Sequence, residues 1–155
     1  MATELKNLNE FSKTLSTSLK GKKIGIVVAE WNEDITKALY NGAKKYLLDA
    51  GIWENHIETI EVPGSYELIY ASNILAQKEN IDGVLALGCV IKGETKHDEY
   101  ISNAVAQGLS AITLKHNKPI TFGLLTTNTE QQAKDRSGGK HGNKGTEAAY
   151  TLLRM

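Results

Sequence analysis

The chain reads as an α/β protein, a three-layer α/β/α sandwich around a central four-stranded parallel sheet. Three observations predict this. Short apolar runs alternate along the 155 residues with segments whose apolar side chains recur every three to four positions. The clearest of these runs are continuously apolar rather than alternating, as strands covered on both faces are. Strand followed by helix, repeated, is the arrangement that builds a parallel sheet with helices on both faces.

Residues 1–22 are polar and weakly patterned, with isolated apolar side chains at Leu5, Leu8, Phe11, Leu15 and Leu19. They read as an arm, loose or ordered by a neighbour, and residues 23–155 as a single domain. Ile24–Ala29 is the first strand. Ile35, Ala38, Leu39, Gly42, Ala43 and Tyr46 then form one apolar helical stripe. Asn32 is placed to cap that helix, Glu33 and Asp34 suit its positive end, and Gly51 ends it. Ile57–Val62 is the second strand. Pro63-Gly64 makes a sharp turn, and a helix is expected over Ser65–Lys78. Gly83–Leu87 is the third strand.

The third helix is expected from Thr95, with Thr95 and Asp98 at capping-box spacing and a stripe of Ile101, Ala104, Val105, Gly108 and Ile112. Pro119 opens the fourth strand, Ile120–Leu125. Thr129 and Gln132 repeat the capping-box spacing before a short helix that stops near Gly138-Gly139. A last helix covers Lys144–Leu153. The order βαβαβαβα(α) predicts a flavodoxin-like sheet, whose ligands bind at the C-terminal ends of the strands.

Composition narrows the function classes. Eighteen basic and eighteen acidic side chains give zero net charge, against a nucleic-acid or membrane-surface partner, which calls for a basic excess. The single Cys89 excludes an intrachain disulfide and a multi-thiolate metal site. His56, His97, His116 and His141 show no zinc-ligand spacing, so no metal is expected. No apolar run approaches the roughly 18 residues of a membrane span, and residues 1–22 lack the apolar core of a signal peptide. A cytoplasmic location is expected.

The segment after the third strand carries the most chemistry. Gly88-Cys-Val-Ile-Lys-Gly93-Glu94-Thr95 superficially matches a phosphate-binding P-loop, but Glu94 stands where that loop needs lysine, which disfavours a nucleoside triphosphate. The N–H groups of Glu94 and Thr95 at a strand–helix junction can still hold a smaller phosphate. His97 adds a proton-transfer group in the next turn. Trp31, directly after the first strand, can stack on a flat heterocycle or simply cover the sheet edge. Cys89 is either a nucleophile partnered by His97 or a small buried thiol at a strand end. Arg136-Ser-Gly-Gly-Lys140-His-Gly-Asn-Lys144-Gly is a basic glycine-rich loop, a phosphate fork or a solvated connection.

These segments together are similar to the 6,7-dimethyl-8-ribityllumazine synthase family. The resemblance rests on five collinear stretches. They are Gly25–Asn32, Val62–Glu67, Ala86–His97, Phe122–Asn128, and Arg136-Ser-Gly with Gly142-Asn-Lys-Gly145. It implies condensation of 5-amino-6-(D-ribitylamino)uracil with 3,4-dihydroxy-2-butanone 4-phosphate, the penultimate step of riboflavin biosynthesis, with no metal or organic cofactor.

By this resemblance His97 is the catalytic acid/base, and Trp31 stacks on the pyrimidine where relatives often carry Phe. Ser65, Tyr66 and Glu67 hold the ribityl chain and ring edge. Cys89, Val90 and Ile91 meet the pyrimidine largely through backbone groups; many relatives carry Thr at the Cys89 position, which argues for backbone over side chain there. Glu94 and Thr95 cradle the phosphate. Phe122 and Arg136 come from the neighbouring subunit, Phe122 to the pyrimidine and Arg136 to the phosphate. A homo-oligomer follows, pentameric, and a sixty-subunit shell because the Arg136–Gly145 joint carries no insertion. Riboflavin synthase is a further partner. The competing readings are a non-catalytic flavin- or lumazine-binding protein, a shell-forming structural protein, and a thiol-dependent hydrolase using Cys89.

Overall fold

The computed structural model describes Leu19 and residues 21–155; the arm expected over residues 1–22 lies outside them except for Leu19, Gly21 and Lys22. Strands β1 (Ile24–Ala29), β2 (Ile57–Val62), β3 (Gly83–Ile91) and β4 (Ile120–Thr127) form one parallel sheet in the order β2-β1-β3-β4. Among the described residues five α-helices follow or flank them: α1 (Glu33–Asp49), α2 (Leu68–Gln77), α3 (His97–His116), α4 (Glu130–Arg136) and α5 (Lys144–Arg154). The three-layer α/β/α sandwich anticipated from alternation is present. Among the described residues no helix is long and apolar enough to cross a membrane.

Side-chain alternation along the strands sorts the core into two layers. Val27, Ala29, Val84, Ala86, Ile120 and Leu124 point to one face, where Leu68 and Leu75 of α2 and Val105 and Leu109 of α3 cover them. Ile24, Ile26, Val28, Leu85 and Leu87 point to the other, against Ala43 and Leu47 of α1 and Ala148, Ala149 and Leu152 of α5. Burial on both faces explains why β1 and β3 read as unbroken apolar runs. Leu19 packs against the second layer, and Lys22 pairs with Asp82 at 2.8 Å.

The structure differs from the sequence reading at four places, each for a physical reason. Helix α2 starts at Leu68, because Ser65–Glu67 form a separate turn after Pro63-Gly64. Helix α3 starts at His97, and no side chain caps it, so the Thr95–Asp98 box does not form. Strand β3 runs on to Ile91 because β4 extends to Thr127 and pairs with it. The glycine-rich loop contains a small antiparallel hairpin, β5 (Ser137–Gly139) with β6 (Gly142–Asn143). The second cap forms: Thr129 Oγ1 accepts from Gln132 N at 3.2 Å, while Gln132 Oε1 reaches one residue further back than a reciprocal box does and accepts from Asn128 N at 2.9 Å.

Asn143 joins this hairpin to the sandwich. Its Oδ1 accepts from Gly145 N (2.9 Å) and Thr146 N (3.1 Å), capping α5. Its Nδ2 donates to Ala38 O of α1 (2.8 Å) and Ser137 O of β5 (2.9 Å). Helices α1 and α5 approach closely here: a Cβ on Gly42 would strike the Asn143 side chain, and one on Gly145 would overlap the Leu39 carbonyl. Gly145→Ala should therefore destabilise the fold by about 2–4 kcal/mol in urea unfolding, since backbone must move. Gly93→Ala, with open space around it, should change stability by less than about 0.5 kcal/mol. Equal stability for both variants would contradict the close α1–α5 contact.

Candidate active site

In the order β2-β1-β3-β4 the chain leaves β1 towards one side of the sheet and β3 towards the other. Ligands of such sheets bind where the order reverses, beyond the strand C-termini. A pocket of about 820 Å³ lies there, between the loops after β1 and β2, the end of β3 and the first turns of α3.

Strand length shapes its floor. β1 ends at Ala29, paired with β3 only as far as Val28↔Leu87, while β3 continues to Ile91 against β4. Backbone groups of successive strand residues point to opposite edges. Val84 N and Lys92 N donate towards β4, to Pro119 O at 3.0 Å and Thr127 O at 2.8 Å. The even-numbered residues of β3 therefore face β4, and Cys89 and Ile91 turn their N–H and C=O groups towards the side that β1 has vacated. Asn32 fills part of the gap, its Nδ2 donating to Cys89 O at 3.0 Å.

Asn32 stands at the N-cap position of α1, as expected, but it does not cap with its side chain. Its backbone is left-handed, φ 61° and ψ 49°, which turns the amide away from the helix and onto β3. Its carbonyl starts α1 by accepting from Ile35 N and Thr36 N. Trp31, immediately before, is 72% exposed with its N–H donating to Pro63 O at 3.1 Å. The indole therefore stands over the pocket mouth instead of sealing the sheet edge.

The loop after β2 supplies Ser65, Tyr66 and Glu67 to the wall. Ser65 is buried, and its Oγ has no hydrogen-bond partner. That hydroxyl is sealed from solvent beside Gly88, close to Leu68 and Leu124, so Ser65 meets the pocket with other atoms than its Oγ. Tyr66 is exposed at the rim.

Cys89, Val90 and Ile91 all line the pocket, but the Cys89 side chain packs away from it, into a cluster with Ile35, Leu39, Leu125 and Ala133. Burial pushes the thiol up to about 11, which removes the nucleophile that a thiol hydrolase requires. Among the sequence-expected residues, Thr95 and His97 also line the pocket.

Three do not. Glu94 is exposed in the loop before α3, outside the pocket lining. Phe122 shares the α2–α3 face with Ile120 and Leu124, but on the edge strand it stays 40% exposed. Arg136 is exposed at the end of α4. Conversely, Asn32, Asp98, Tyr100 and Ile101 line the pocket without having been singled out for it. Helical spacing carried part of that signal: Tyr100 and Ile101 fall three and four residues after His97, on its face.

Between pH 9 and 11 the folded Cys89 thiol keeps a proton that an unfolded thiol, with its ordinary value of 9.0, releases. Its contribution to stability is therefore complete below pH 9 and is lost as pH rises to 11, by about 1.4 kcal/mol per unit of difference. The stability gap between the wild-type protein and Cys89→Ala in urea should narrow over that range. The native thiol should also resist alkylation at pH 8. Rapid labelling of folded protein would contradict its burial.

Residues 21–155 match the family described as 6,7-dimethyl-8-ribityllumazine synthase. Proteins of that name are similar to the chain along its length. The one from Cytophaga hutchinsonii is 50% identical over the whole chain and 97% of the relative. The one from Porphyromonas gingivalis is 46% identical over the whole chain and 96% of the relative. That from Bacteroides fragilis is 47% identical over 86% of this chain and 93% of its own length.

Proposed function

This chain belongs to the 6,7-dimethyl-8-ribityllumazine synthase family, and from that premise we propose how its pocket works. The protein is a transferase of riboflavin biosynthesis. It condenses 5-amino-6-(D-ribitylamino)uracil with 3,4-dihydroxy-2-butanone 4-phosphate to 6,7-dimethyl-8-ribityllumazine, releasing phosphate and water. The observation that carries the site assignment is the convergence of Trp31, Ser65–Glu67, Cys89–Ile91, Thr95 and His97 on one cavity.

Trp31 stacks on the pyrimidine, and the β3 backbone beyond Leu87 reads its edge. Ser65, Tyr66 and Glu67 hold the ribityl chain and ring edge. The 5-amino group attacks the ketone carbonyl and a Schiff base forms with loss of one water; phosphate then leaves, the resulting enol tautomerises to a carbonyl, and the second amine closes the ring on it with loss of a second water. His97, at the first helical position, moves protons during dehydration and elimination. The loop N–H groups of Glu94 and Thr95, with the unpaired N–H groups of the first α3 turn, receive the phosphate. Holding two polyhydroxylated substrates with amine and carbonyl aligned supplies much of the rate enhancement.

Phe122 and Arg136 act in the pocket of a neighbouring copy, which gives roles to two residues outside their own chain's cavity. The exposed face of α3 supports self-association. Tyr100 to Leu114 contains no charged side chain, yet Tyr100, Ala106, Ala111 and Leu114 are exposed. Asn103, Gln107 and Ser110 are exposed among them, so the face is uncharged and mixed, which suits packing against a second copy without burying a charge. The assembly is a pentamer, and a sixty-subunit shell in keeping with the short Arg136–Gly145 connection. Riboflavin synthase, which consumes the product, is the proposed protein partner. The cytoplasm is the proposed location, since both substrates are too polar to cross a membrane unaided.

The first assay mixes the protein with both substrates and follows lumazine absorbance and phosphate release; a folded protein giving neither would refute the activity. His97→Ala should lower kcat about a hundredfold or more with the melting temperature unchanged; normal turnover would remove His97 from the mechanism. Arg136→Ala should raise KM for the butanone phosphate about tenfold or more. Co-refolding Arg136→Ala with His97→Ala should restore part of the activity, because some sites regain both groups; no recovery would place Arg136 in its own chain's site. Ala111→Glu should shift light scattering to smaller species, and unchanged particles would clear α3 of an interface role.

A further inference from the structure

We propose that Asn32 is a positioning and specificity-determining residue, fixing the Trp31 indole relative to the β3 peptide edge so that a flat ring stacked on the indole meets that edge in its own plane. The inference rests on the pyrimidine assignment above. Three features of one residue carry it. The left-handed backbone, φ 61° and ψ 49°, is an uncommon conformation for a residue with a side chain, and asparagine is among the few that tolerate it. The side-chain amide leaves its usual capping role and donates to Cys89 O at 3.0 Å, across the gap where β1 no longer pairs with β3. The carbonyl starts α1.

The consequence is a clamp with two fixed ends. Trp31 N–H donates to Pro63 O of the β2 loop at 3.1 Å, and the next residue is tied to β3. The indole is mostly exposed, so backbone anchoring on both sides is what aims it. Asn32 Nδ2 also occupies the Cys89 carbonyl. This leaves Ile91, two residues on and with the same edge orientation, to offer backbone N–H and C=O to a ring. Without the amide, Cys89 O would present an acceptor one pleat deeper, and ring recognition would lose its register.

Substitutions separate these roles. Asn32→Gly keeps the left-handed turn at no steric cost and removes the amide. Asn32→Asp keeps turn and shape but sets a carboxylate oxygen against the Cys89 carbonyl. In a Trp53→Phe background, Trp31 is the sole tryptophan, and its emission reports the platform without any substrate.

For Asn32→Gly, KM for the ribitylaminouracil should rise about five- to tenfold, as for one lost hydrogen bond. KM for the butanone phosphate should stay within about twofold. The Trp31 fluorescence anisotropy of the ligand-free protein should fall, with assembly and melting temperature close to wild type. Asn32→Asp should show the same split, more strongly.

Equal rises in both KM values would mean a merely structural residue and overturn the proposal. So would unchanged pyrimidine KM with unchanged anisotropy. A wild-type protein that makes no lumazine would instead overturn the functional reading, and the anisotropy comparison would still decide whether Asn32 holds Trp31.

Discussion

Two hydrogen-bonded strands of unequal length determine the rest of this structure. β3 needs a partner on each edge, and beyond Leu87 it has only β4. An unpaired edge in a dry core would be costly. At the C-terminal end of the sheet, however, it opens onto a cavity whose polar ligand can take the missing partner's place. Asn32 supplies one of the missing hydrogen bonds. Everything else at the site is arranged around that vacated edge: an aromatic ring above it, the Ser65–Glu67 turn beside it and a helix start beyond it.

The alternation of β1 and β3 side chains between two covered faces made those strands legible, because each face demands apolar residues. Helix starts were less legible. Ser65 and Thr95 are good first residues by type, but both lie in turns, and α2 and α3 begin at Leu68 and His97 without a side-chain cap. In sequence the end of β3 looks like a loop, since Gly88 and Gly93 suggest a turn. Its true length is set by β4, a long-range pairing that no local pattern carries. The hairpin at Ser137–Asn143 is hidden in a glycine-rich stretch whose order comes from Asn143 and its bonds to two carbonyls and two amides, one of them on distant α1.

The site was legible where residues follow one another at strand ends, as with Trp31, Ser65–Glu67 and Cys89–Ile91. Roles were harder than places. Cys89 is a pocket residue, but only its backbone faces the cavity, a fact of strand parity rather than of residue type. Asn32 has the composition of a cap, and its sequence gives no sign of the positive φ that redirects it. Phe122 and Arg136 stand apart from the cavity of their own chain, and periodicity along one chain cannot express a partnership between two.

The contact between α1 and α5 has a consequence for how this chain can vary. Gly42 and Gly145 leave room for the Asn143 side chain and the Leu39 carbonyl, and Asn143 spends its amide on α1, α5 and the hairpin that follows Arg136. None of the three can drift alone: a methyl group on Gly42 evicts Asn143, and a smaller residue at 143 uncaps α5. Neutral substitutions can accumulate freely on the solvent face of α1, but at this junction the permitted paths are concerted ones. A position buried in a helix–helix crossing is thereby tied, through evolutionary time, to the placement of an arginine on the protein's surface.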